Sequence, residues 1–192
     1  MKNENMRKAF NLLLTTLLLA FVIVACDDKK PKNEQPTLSG NLEMDDGTDS
    51  TVYGRYLEGG MSKMVLLTDN GDTVEYYVED KDSMVKGGCF EGDRIAIIGY
   101  KADGEYVAQH AVNLNSLQGK WSDIAKSFEI KEGGVVESNV SAESKPYSKW
   151  KIYNGRLILN TDTFDVAALG PDTLWLESDK GIFQYKRQEK LK

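Results

Sequence analysis

The chain has 192 residues, with 24 basic against 30 acidic side chains and a net charge of −6. The imbalance is local: residues 37–118 hold 6 Lys/Arg against 15 Asp/Glu, a net of −9, while residues 119–192 hold 12 against 11, a net of +1. An acidic half repels a phosphate backbone, whose binding needs clustered Lys and Arg, so no nucleic-acid partner is expected and the acidity reads as solubility.

The chain opens with Lys2, Arg7 and Lys8, continues through fourteen residues of mostly apolar sequence, Leu12 to Ala25, and reaches Cys26. A polar stretch with two prolines follows, from Asp27 to Pro36. Crossing a bilayer takes about 20 apolar residues, so the run has the length of a signal-peptide core rather than of a membrane span. A leading core helix is excluded by the Pro- and Lys-rich stretch behind it. The order resembles a bacterial lipoprotein signal peptide, with Val24-Ala25-Cys26 closing a lipobox. That resemblance implies cleavage after residue 25, a diacylglycerol on the Cys26 thiol and an acyl chain on the new amine. More than one chain is what stable anchoring requires. The expected location is the outer membrane of the cell envelope, and Asp27-Asp28, a short form of an acidic export tract, allows display at the surface. Residues 26–36 read as a tether. The only other cysteine is Cys89, which is left without a disulfide partner and is expected to be a small buried apolar residue.

Past the tether the pattern is all-β. Expected strands in residues 37–115 are Thr51–Leu57, Met64–Thr68, Val74–Val78, Arg94–Gly99 and Tyr106–Val112, with one short helix near Met84. Asn70-Gly71 supplies the positive φ angles of a hairpin turn between the second and third. Five strands with a longer insertion between the third and fourth resemble an OB-fold, a small Greek-key barrel.

Residues 116–192 continue with Phe128–Lys131, Val135–Ser138, Ser148–Tyr153, Arg156–Leu159, Thr163–Ala168, Thr173–Glu177 and Gly181–Arg187. Their connections are short, so neighbours in sequence are expected to pair as an antiparallel meander. Period-two alternation places Trp150 with Ile152, Leu157 with Leu159, Phe164 with Val166 and Ala168, and Leu174 with Leu176 on the inner face. Gly119-Lys120-Trp121 opens this meander and Tyr185-Lys186-Arg187 closes it. Together they resemble the lipocalin pattern, in the short form found in envelope lipoproteins of Gram-negative bacteria. The resemblance implies that Arg187 packs over Trp121 and plugs the closed end, with Gly119 completing the signature. The strands are shorter than those of a ligand-holding lipocalin, so the interior is expected to be small or filled by its own side chains. With roughly 80 residues apiece, the two halves are each marginal alone and are expected to pack together.

Catalytic signals are weak. The single histidine, His110, lies in a strand where alternation puts it with Tyr106, Ala108 and Val112, and one His with one Cys is too few for a zinc site. Glu43 to Asp49 is acidic but lacks EF-hand spacing, and the Gly-Gly pairs have no phosphate-loop Gly-Lys-Ser/Thr. No catalytic residue, metal or cofactor is expected, and an envelope hydrolase is the least favoured reading. Trp175 faces away from Leu174 and Leu176, which makes it the candidate interaction side chain. Two functions stay open: a lipid-anchored binding or accessory protein that contacts an envelope protein, and a lipocalin-like carrier of a small apolar ligand.

Overall fold

A computed structural model describes residues 48–139 and 145–188; Cys26, the tether and the signal segment lie outside the described residues. The architecture is all-β, built as two barrels in sequence. Among the described residues no helix is long and apolar enough to cross a membrane.

The first barrel contains β1 (Val52–Gly59), β2 (Lys63–Thr68), β3 (Thr73–Tyr77), β4 (Val85–Lys86), β5 (Arg94–Ala102) and β6 (Glu105–Asn113). β1, β2 and β3 form an antiparallel meander, β1 also pairs with β5, and β5 pairs with β6. A parallel pairing of Tyr76 and Tyr77 with Tyr106 and Val107 joins β3 to β6 and closes a five-stranded ring, with the two-residue β4 added alongside β6. The turn before β4 is one helical turn, Lys81–Met84. Met64, Leu66, Ile95 and Ile97 are fully buried at the centre of this barrel.

The second barrel contains β7 (Gly119–Ser122), β8 (Ser127–Ile130), β9 (Val136–Ser138), β10 (Trp150–Tyr153), β11 (Arg156–Leu159), β12 (Asp162–Leu169), β13 (Thr173–Ser178) and β14 (Gly181–Arg187). All neighbours are antiparallel, and β14 returns to pair with β7 through Arg187 opposite Trp121. Among the described residues a single bridge, Val135 to Lys149, spans the remaining gap between β9 and β10. The β10–β11 hairpin turns on Asn154 and Gly155, at φ 47° and 73°, the left-handed pair that matches strand twist in a two-residue loop.

The interior of this barrel is lined by large buried side chains. Trp121, Phe128, Leu157, Leu159, Leu174 and Tyr185 are each at most 1% exposed. Phe128 meets Tyr147 and Tyr185 edge-on at centroid distances of 5.4 and 5.0 Å, the arrangement that aromatic quadrupoles favour. Large side chains of the barrel's own strands thus line the interior that the short strands enclose.

Two bulges alter the simple alternation. In β6 the register skips Gln109, so Ala108 and Ala111 both face the first core while His110 and Val112 turn outward. His110 therefore shares a face with Val112 but not with Ala108, a correction to strict alternation. In β12 the register skips Ala167, which places Ala168 opposite Trp175 and Leu169 opposite Leu174. Ala168 consequently leaves the inner face, and Leu169 packs on the core in its place.

The barrels pack directly on each other. Ala96 of β5 and Val112 of β6 belong to the second core, although their strand neighbours line the first. The Tyr53 hydroxyl donates to the Ile152 carbonyl at 2.8 Å, and Ser50 N–H donates to Asn154 Oδ1 at 2.8 Å. The join is a single helical turn, Leu114–Leu117, whose Asn113 cap accepts from Ser116 N–H at 3.1 Å. The Asn113 side-chain amide also donates to the Gly88 carbonyl and to Asp93, so this buried polar group is fully used.

Candidate functional site

Three places collect the side chains of interest: the closed end of the second barrel, its outer face at Trp175, and a cleft between the barrels.

At the closed end Trp121 is buried on β7, and its indole N–H donates to the Leu117 carbonyl at 2.8 Å. The Arg187 guanidinium lies over that indole, its Cζ 4.1 Å from the ring centroid. Nη1 donates to the Gln118 carbonyl at 2.8 Å, Nη2 to the Ser116 carbonyl at 2.6 Å, and Nε to the Pro171 carbonyl. A planar fork can serve all three and stack at once, which a lysine ammonium cannot. Burial pulls Arg187 below the ordinary arginine range, with Asp172 opposing. Gly119 sits at φ 133°, and a Cβ there would collide with Arg187 Nη1. The glycine is required both by backbone conformation and by the guanidinium beside it.

Trp175 is 40% exposed on β13, between Ala168 on one side and Gln184 on the other. Ile182, two positions along β14, is also exposed and faces the same way.

The cleft has a volume of about 530 Å³ and opens where β1 and β5 meet β10 and the loop before β9. Tyr53, Arg55 and Arg94 approach from the first barrel, and Glu132, Trp150 and Lys151 from the second. Arg94 is committed to Asp69 by a two-pronged pair and lies 5.8 Å from the Tyr53 centroid. That pair holds the Asp69 carboxyl below the usual range. Trp150 is half-buried, packs on the second core, and donates its indole N–H to the Lys131 carbonyl at 2.7 Å. Leu114 and Ile152 complete an apolar floor.

The remaining candidates do not assemble. Burial, followed by Lys86, lowers the His110 pKa while Asp165 opposes. Cys89 is pushed up to about 11, again mainly by burial, and the charges acting on it are Lys81 and Asp93. The two residues thus answer to different neighbours. Asp49 is raised by burial but lowered further by backbone N–H donation from Asn154 and Thr51, so its net shift is downward. Among the described residues no group of three or more His, Cys, Asp or Glu is placed to hold a metal.

A lipocalin-like family model matches residues 112–188. The match starts at the end of β6, takes in the helical join and all eight strands of the second barrel, and ends just past Arg187. Over these residues the second barrel is similar to the lipocalin-like family. No curated protein and no solved structure matches the chain.

The cleft was invisible in the sequence because Tyr53 and Trp150 stand far apart along the chain and neither carries a motif. One signal did bear on it: Ile95-Ala96-Ile97-Ile98 is an unbroken apolar run, the mark of a strand covered on both faces.

Proposed function

We propose that the protein is a lipid-anchored, non-enzymatic binding protein of the cell envelope that acts through its outer surfaces. Cys26 would carry the acyl chains, residues 26–36 would space the barrels from the outer membrane, and the barrels would engage an envelope protein. The observation that carries this reading is the packed interior of the lipocalin-like domain, which leaves contact to the outside. Trp175 with Ile182 supplies a candidate contact face, since large apolar side chains together on a β-surface gain most when covered. We further propose that the first barrel is an OB-fold, supported by the ring order β1-β2-β3-β6-β5 with its parallel β3–β6 closure.

A photo-crosslinking residue placed at Trp175 in the native host tests the contact: a discrete adduct with an envelope protein is expected, and irradiation that yields none would defeat the proposal. Cys26→Ala should leave an uncleaved precursor, and normal processing of that variant would remove the anchor. The lipocalin-like match favours a second reading, a carrier of a small apolar ligand. Native mass spectrometry of the protein from its own host separates the two, because a carrier retains a bound apolar molecule and a surface-acting protein does not.

A further inference from the structure

We infer that the cleft between the two barrels is a binding site for a flat organic anion, a planar ring system bearing a carboxylate or a chemically similar oxyanion. Its volume of about 530 Å³ suits a small molecule, and pockets that hold such ligands are often found where domains meet. The walls are aromatic and already pinned. Tyr53 spends its hydroxyl on Ile152, and Trp150 spends its indole N–H on Lys131. Their polar atoms are therefore satisfied and the rings are held without a ligand, which reduces the ordering cost of binding.

The rim supplies charge. Arg55, Arg94 and Lys151 face one lining carboxylate, Glu132, although Arg55 and Arg94 come from the strongly acidic half of the chain. Arg94 is neutralised by Asp69, whereas Arg55 is exposed, acts on Asp69 only at longer range and enters no ion pair among the described residues. Lys151 is exposed on the opposite wall, its Nζ 4.2 Å from the Tyr153 centroid, and its charge also acts on Asp49. Arg55 and Lys151 thus line the cleft from two barrels, and the guanidinium of Arg55 can meet a carboxylate with two parallel donors. The site needs both barrels but no acyl chain, so it stands whether or not the protein is anchored.

Fluorescein, a flat dianion in mildly alkaline buffer, and rhodamine 123, a cation on the same ring system, are titrated against the full chain in a non-ionic detergent. Fluorescence anisotropy is read against a detergent blank. Fluorescein should saturate below roughly 100 μM and weaken with salt, while rhodamine 123 should bind at least roughly tenfold more weakly. Arg55→Glu and Lys151→Glu, on different barrels and both exposed, should each weaken fluorescein by roughly tenfold or more with the melting temperature kept. Ile124→Ser, fully exposed on the turn between β7 and β8, should change nothing. Equal binding of the two dyes, fluorescein affinity within about twofold of wild type in both charge reversals, or no saturation would overturn the assignment. So would displacement of fluorescein by an acidic peptide at lower concentration than by any ring-bearing anion, which would give the cleft to a protein partner.

Discussion

The Gly119–Arg187 pair at the closed end makes a quantitative prediction about coupling. Arg187→Ala removes a stacked cation, worth about 0.5–2 kcal/mol. It also removes two part-buried hydrogen bonds, to Ser116 and Gln118, at about 1 kcal/mol each after allowing for solvent. The expected loss is about 3 kcal/mol. Arg187→Lys keeps the charge and one hydrogen bond but not the stack or the fork, and should lose about 2 kcal/mol. Gly119→Ala forces a left-handed φ on alanine, at about 1–3 kcal/mol, and drives its Cβ into Nη1, displacing the guanidinium from its carbonyls. With Arg187 already removed, only the backbone strain is left. The double variant should therefore be more stable than the sum of the single losses predicts, by about 2 kcal/mol. Urea unfolding followed by tryptophan fluorescence measures all four proteins. Additivity within about 0.5 kcal/mol would refute the claim that Gly119 is small because Arg187 lies against it.

Leu157→Ala should cost about 2–5 kcal/mol in urea unfolding, since Leu157 is wholly buried in a filled barrel; a much smaller loss would indicate room inside. Cys89 should resist aromatic disulfide reagents at neutral pH and react only on unfolding, because its thiol is pushed up to about 11. With the folded value raised above 9.0, the stability Cys89 contributes is complete below about pH 9 and is lost as pH rises through about 11; Cys89→Ala should flatten stability across that window. His110 has the opposite sign: burial favours its neutral form, so its contribution is present above 6.5 and lost as pH falls through its lowered folded value. His110→Gln should make the acid limb of the stability profile shallower, as seen by circular dichroism.

Strand positions were legible because alternation of apolar side chains survives in the sequence wherever one face is buried, as in Leu157 and Leu159 or Leu174 and Leu176. The contact of Arg187 with Trp121 followed only from the likeness of Gly119-Lys120-Trp121 and Tyr185-Lys186-Arg187 to the lipocalin pattern; residue type and spacing alone describe a solvated arginine on the last strand. The bulges at Gln109 and Ala167 were not, because an inserted residue leaves the local composition unchanged while reversing every side chain beyond it. Trp150 illustrates a second limit. Alternation put it with Ile152 on the inner face, and it does pack on the second core, but nothing in the sequence marked it as half-buried and lining the cleft as well.

The skipped residue in β6 has a consequence for how the molecule comes apart. It lets Ala108 and Ala111 furnish the same room as Ile95 and Ile97, while alternation gives Ala96 and Val112 to the other, so β5 and β6 are a party wall. Neither room can be demolished with the wall left standing. Melting should run as one cooperative transition rather than two. Cutting the gene after residue 115 should yield two fragments that each expose half of that wall and precipitate.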